Sequence, residues 1–194
     1  MLWSNLIKLG NYSILIKFQI IRKLDVRTSG VSSRIPYTPL HIVCLDYDNI
    51  DDERLKEELS FLQREFKLGN FYVLKTRDYG RHAVCIDALR FKDAKQVIDF
   101  STCDTMFKKA PSINEYRCWV LRYAKKGERE EPKYLYTVGS KYEGKNLQSR
   151  GHAKYLLNFG VRVNLKKPFG PEEIETQDYN TGKRTEEETK EATG

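Results

Sequence analysis
Between Leu40 and Asp87 three short apolar runs, LHIVCLD, FYVLK and HAVCID, surround a stretch in which Leu55, Leu59, Leu62 and Phe66 recur at helical spacing. Strand-length runs of β-forming residues and one amphipathic 3.6-residue pattern predict strand, helix, strand, turn, strand in that order. Asp51 or Asp52 can cap the helix over residues 53–67, and Gly69-Asn70 ends it. The second and third strands, Phe71–Lys75 and His82–Asp87, are joined by the turn TRDYGR. Further on, Asp93–Phe100 reads as a helix, Cys118–Tyr123 and Tyr134–Val138 as strands, His152–Asn158 as a helix and Val161–Leu165 as a last strand. Mixed elements with hairpin-like connections predict an α+β fold, a mostly antiparallel sheet covered by helices.

The ends read differently. Tyr12–Ile21 is a strand or amphipathic segment, and Lys8, Lys17, Arg22 and Lys23 break the N-terminal apolar stretch too often for a membrane span or signal peptide. Thr28–Pro39 is rich in Ser, Thr, Gly and Pro and reads as a loop. Residues 1–39 are therefore expected to be a segment packing on a main domain over 40–168. Residues 169–194 carry few apolar side chains and are expected to form a disordered acidic tail.

With 40% hydrophobic and 12% aromatic residues the chain can bury a core, which excludes global disorder. At 31% charged residues and a mean hydropathy of -0.63, an integral membrane protein is excluded as well. The net charge of +7 is unevenly spread: residues 171–194 hold eight acids against three bases, a net of −5, which leaves +12 on residues 1–170. A body that basic suits a polyanion, nucleic acid first. Cys44, Cys85, Cys103 and Cys118 include no C-x-x-C pair. A zinc ribbon is thus not expected, and core cysteines in a reducing compartment are. That compartment is the cytoplasm, or the host cytoplasm for a viral or plasmid-borne chain.

Chemistry can be carried at few places. Asp46 and Asp48 form a D-x-D at a strand end, where alternate side chains share a face. Two such carboxylates repel, and a hard divalent cation relieves that repulsion. By itself the doublet also fits a cap or surface cluster. His82 opens a strand after the Gly80 turn and can ligate a metal or hold a phosphate oxygen; a buried histidine satisfied by backbone is the plainer alternative. Asp104 lies between a helix and a strand and equally suits an N-cap. Arg122, Lys125 and Lys126 follow a strand and can clamp phosphates, or form a solvated basic turn. His41 and His152 have no partners at suggestive spacing. Tyr72, Tyr79 and Trp119 are stacking candidates for bases, with core packing the plainer alternative.

Taken in order, the acidic CLDYD, the Gly80-Arg81-His82 that opens a strand, the later Cys103-Asp104, and Arg122 in WVLRYAKKG resemble the catalytic core of the archaeo-eukaryotic primase superfamily, which includes primase small subunits and primase-polymerases. The resemblance covers roughly residues 40–125. Ile86-Asp87 competes with Cys103-Asp104 for the third acidic motif but lies close to His82. The resemblance implies an RRM-like catalytic sheet and template-directed nucleotidyl transfer. It implies two Mg2+ or Mn2+ ions on Asp46, Asp48 and Asp104, and phosphate contacts from His82, with Arg81, Arg122 and Lys125 beside it. The partners are then an NTP or dNTP, a single-stranded DNA template and a helicase or other replication protein. Two other readings stand beside this one: a non-catalytic nucleic-acid-binding protein with an RRM-like sheet, which would need exposed aromatics on central strands and no metal, and a metal-dependent nuclease using the same carboxylates. A rolling-circle nickase would need a His-x-His pair, which His41, His82 and His152 do not supply.

Overall fold
The computed structural model describes residues 2–9, 12–19, 27–113, 117–125 and 129–180, with side chains over 29–113, 117–125 and 129–176. The chain divides into two units. In the first, β1 (Leu2–Leu9) and β2 (Tyr12–Gln19) form an antiparallel hairpin in which Leu2 faces Gln19. The second spans Thr28–Tyr179, so the boundary falls before the stretch 28–39 and not after it.

In the second unit the described elements run β3 (Arg27–Ser32), β4 (Leu40–Tyr47), α1 (Asp52–Phe66), β5 (Phe71–Lys75), β6 (Arg81–Arg90), α2 (Phe91–Phe100), α3 (Thr105–Ile113), β7 (Val120–Arg122), β8 (Lys133–Val138), β9 (Gln148–Ser149), α4 (Arg150–Leu157), β10 (Pro168–Phe169) and β11 (Thr176–Asn180). The fold is α+β, with four helices among the described residues and sheets rich in antiparallel pairs. No helix of the described residues is long and apolar enough to cross a membrane.

The main sheet is organised by β6, the longest strand of this unit. β4 pairs antiparallel along its whole length, from Leu40 opposite Arg90 to Tyr47 opposite Arg81. β5 takes the stretch from Arg81 to Val84, and β9 meets β6 at Asp87. β8 completes the other side of β5. A second sheet of three strands runs β11-β3-β7.

Alternation fixes which side chains share a face. Tyr47 donates from its hydroxyl to Glu58 Oε1 of α1 at 2.8 Å, so Tyr47 and Arg81 face that helix. Asp46 and His82, one residue along on each strand, face the opposite way. The α1 helix follows from its sequence: Asp51 caps it by accepting from Arg54 N at 2.8 Å, Leu55, Leu59 and Leu62 are buried, and Lys67 ends it in the left-handed region. Burying each such leucine contributes on the order of 1.5–3 kcal/mol. Four cysteines are free and buried.

Besides α3, which the sequence leaves as a connection, three regions differ from the sequence expectation. Part of the presumed loop 28–39 is strand β3, because β7 pairs with it, Gly30 opposite Arg122. Val161–Leu165 forms no strand, although Val161 packs into the core. The chain after Pro168 is ordered through backbone pairing and not through apolar burial: β10 joins β9, β11 joins β3, and Ser32 N donates to Glu175 O at 2.9 Å. The remainder of the expected tail, residues 181–194, lies outside the described residues, as does Lys126.

Candidate functional site
The end of β4 carries Asp46, half-buried on the face turned away from α1. Directly opposite on β6 stands His82, buried, with Nε2 3.5 Å from Asp46 Oδ1. Burial, and then the positive charge of Arg122, push the imidazole down to about 3, so it is neutral at physiological pH and the contact is not an ion pair. Its Nδ1 is buried with no hydrogen-bond partner among the described residues.

Asp46 is displaced the other way. Burial first, then the charges of Asp48 and Asp104, raise its carboxyl to about 6, against the opposing pull of Arg77 and Arg122. Two acids, one of them from a distant part of the chain, thus act on Asp46 at this sheet end. Asp104 is tied there through its backbone, its N–H donating to Asp46 O at 2.7 Å. Its side chain starts α3, with Oδ1 accepting from Phe107 N at 2.7 Å, so the N-cap expected as an alternative is present. Asp48 and Asp104 line one open cleft of about 290 Å³, together with Arg54 and Thr102.

The basic residues divide. Arg122 is held at the end of β7 by donating to Ala124 O and Glu130 O, both at 2.7 Å, and its charge is felt by both Asp46 and His82. Lys125 is exposed beyond that strand, and among the described residues no hydrogen bond or ion pair ties it to Asp46, Asp48 or Asp104. Arg81, expected beside the phosphates, does not join the site. It faces α1, makes a two-pronged pair with Asp52 at 2.9 and 3.1 Å, and donates to the carbonyls of Arg77, Asp78 and Gly80. The period of two between neighbours in a strand sends Arg81 and His82 to opposite faces.

Two residues matter that the sequence reading passed over. Arg77 reaches back from the β5–β6 turn to Asp48, bonding both its carboxylate and its carbonyl, the latter at 3.1 Å. Gly80 makes room for this, since a Cβ there would lie 2.5 Å from Arg77 Cγ. A basic residue in a hairpin turn level with D-x-D is a usable signal. Glu58 of α1 accepts from Tyr47 and from Thr102 N at 2.7 Å, which fixes the segment leading to Asp104; no spacing in the sequence announces it. His152 and His41 are structural, His152 bridging Ser149 Oγ and Ser32 O, His41 meeting Ser33 Oγ between Phe91 and Trp119. Asp87, the competing third acid, is fully buried beside Gly69 and Asn146. Trp119 and Tyr72 are buried, and of the three stacking candidates Tyr79 alone is exposed.

Among the described residues no three His, Cys, Asp or Glu side chains already stand in a metal-ion cage. The donor chemistry nevertheless suits a hard cation: two carboxylates, Asp48 and Asp104, line the open cleft, and their charge is felt by the nearby Asp46. No family model matches the sequence, and no curated protein or solved structure is significantly similar to it.

Proposed function
We propose that the chain is a primase-polymerase-like nucleotidyltransferase of the archaeo-eukaryotic primase type, built on an RRM-like sheet and acting on a single-stranded DNA template. The observation that carries this reading is Asp46 standing opposite neutral His82 at one end of the sheet, on the face opposite α1, with the charges of Asp48 and Asp104 close enough to raise the Asp46 carboxyl. The order β4-α1-β5-β6-α2, with β6 between β4 and β5, supports the RRM-like part.

Asp46, Asp48 and Asp104 would hold Mg2+ or Mn2+, which in such reactions lowers the pKa of an attacking 3′-hydroxyl and offsets charge on departing pyrophosphate. The chain's own residues contribute placement and charge. Asp46, with its carboxyl near 6, is mostly ionised at neutral pH. His82, neutral, can donate one ring N–H to a phosphate oxygen without adding charge. Arg122, fixed by two carbonyls, presents a guanidinium to the same region. Arg77 must release Asp48 for that carboxylate to take a cation.

A second reading has its own support. Asp104 caps α3, Asp48 is paired with Arg77 and no cage is preformed, which suits a non-catalytic nucleic-acid-binding relative. Incubation of the full chain with template, NTPs or dNTPs and Mn2+ separates the two. Template-dependent product, abolished in Asp46→Asn with template binding retained, is the expected result. Binding without product at any metal concentration would leave the second reading, and template cleavage would indicate a nuclease.

A further inference from the structure
At the other end of the sheet a second charged feature has no part in the chemistry above. Three lysines surround the ring of Tyr142: Lys145, Lys67 and Lys141 place Nζ 4.8, 5.1 and 5.3 Å from its centroid. All three lysines are exposed and the ring is half-buried. None of them is in an ion pair among the described residues, and Glu143, the adjacent acid, pairs with none. Like charges gathered on one ring repel one another, and a polyanion relieves that repulsion.

The cluster is assembled from separate segments and fixed from below. Asp87, fully buried on β6, accepts from Gly69 N at 2.7 Å and from Asn146 Nδ2 at 2.8 Å. Asn146 also donates to Lys67 O at 3.1 Å, which ties the end of α1 to the loop bearing Lys141, Tyr142 and Lys145. Ser140 joins the same two segments by donating to Leu68 O at 2.6 Å and accepting from Tyr142 N at 3.1 Å. Lys167 adds a further contact by donating to Lys145 O at 2.9 Å. A Cβ at Gly69 would sit 2.9 Å from Asp87 Oδ1, so that position has room for glycine alone unless the carboxylate moves.

We infer that Tyr142 with Lys67, Lys141 and Lys145 forms a binding site for single-stranded nucleic acid, the ring stacking a base while the ammonium groups take the flanking phosphates. Aromatic platforms set among backbone-tracking cations are how unpaired strands are held without sequence preference. An incoming base displaces one ammonium from the ring face, and the phosphates on either side take up its charge. The site lies along β6 from the acids, five residues from His82 to Asp87, or about 17 Å at strand spacing. It rests on the proposed function only for the choice of nucleic acid over other polyanions, and it needs none of the chemistry.

The test is fluorescence anisotropy of labelled oligothymidylate with the full chain in EDTA, over a salt series. Removing three phosphate contacts should lower the slope of log affinity against log salt by about 2 for a single strand. The triple variant Lys67→Ala, Lys141→Ala, Lys145→Ala should show that change and at least a tenfold loss of affinity. Removal of Lys92, Lys95 and Lys109 together, an equal loss of charge on α2 and α3, should change the affinity much less. Tyr142→Ala should weaken oligothymidylate binding by about tenfold and leave heparin binding unchanged, with Tyr142→Phe restoring the affinity for the oligonucleotide. Equal losses in the two triple variants, or a Tyr142→Ala effect identical for heparin and DNA, would overturn the site. Because the assay contains neither metal nor nucleotide, its failure leaves the catalytic reading standing. A catalytically silent chain that still binds through Tyr142 leaves the site standing.

Discussion
Replacing Asp46 with Asn should make the protein more stable at neutral pH. The carboxyl titrates near 6 in the fold against an ordinary 3.8, chiefly because burial and two neighbouring acids disfavour its charge. As pH rises from about 4 to about 6, the unfolded chain gives up this proton while the folded chain keeps it, so stability falls through that window and the full penalty applies above it. At about 1.4 kcal/mol for each tenfold, the ceiling is about 3 kcal/mol. The side chain is 34% exposed, and solvent screening brings the expected gain for Asp46→Asn down to about 1–2 kcal/mol. For a domain of this size that is a rise in Tm of roughly 2–8 °C. Circular-dichroism melts in EDTA should show the gain at pH 7.5 and almost none at pH 4, where the native carboxyl is already protonated. Addition of Mn2+ should then raise the Tm of the native protein and not that of the variant. A lower Tm at pH 7.5, or the same gain at both pH values, would refute the charge-repulsion argument.

The two buried histidines outside the site act in the opposite sense. His41 and His152 are both lowered to about 4, chiefly by burial, so stability is complete above about 6.5 and is lost as pH falls toward 4, at up to about 2.7 kcal/mol per pH unit while both groups are protonated only in the unfolded chain. Melts between pH 7.5 and 4.5 should show a steep fall in Tm below pH 6, and a flat profile would contradict the assignment. At Asp104 the structural and chemical roles separate: Asn retains a capping oxygen for Phe107 N, so Asp104→Asn should cost less than about 0.5 kcal/mol while removing synthesis, and Asp104→Ala should cost about 1 kcal/mol. Urea titrations paired with the incorporation assay check both. Arg81→Ala breaks the pair with Asp52 and frees three carbonyls, a loss of about 2–4 kcal/mol by urea unfolding, with nucleotide affinity of the folded protein unchanged.

The parts read correctly from the sequence are those set by local pattern. Leu55, Leu59 and Leu62 marked α1, and Phe71–Lys75 matched β5 end to end, because helical and strand periods are carried within a few residues. D-x-D and His82 sit where apolar strands end or begin, and the antiparallel pairing of β4 with β6 then puts Asp46 opposite His82. What failed was decided by distant partners. Thr28–Ser32 looks like loop by composition and becomes strand because β7 lies beside it. Residues 176–180 have little to bury and are held by β3. Helix α3 contains Pro111, a residue that usually breaks a helix, and only its cap, Asp104, was visible. Arg81 shows a different lesson: strand alternation, applied to Gly80-Arg81-His82, already separates Arg81 from His82.

Manganese binding to the full chain, followed by electron paramagnetic resonance with and without a nucleoside triphosphate, addresses the acidic cluster most directly. Saturable binding that tightens with the triphosphate and disappears in Asp46→Asn is expected. Binding that is absent, or that is the same in Asp46→Asn as in the native protein, would mean that these carboxylates serve the fold and not a cation.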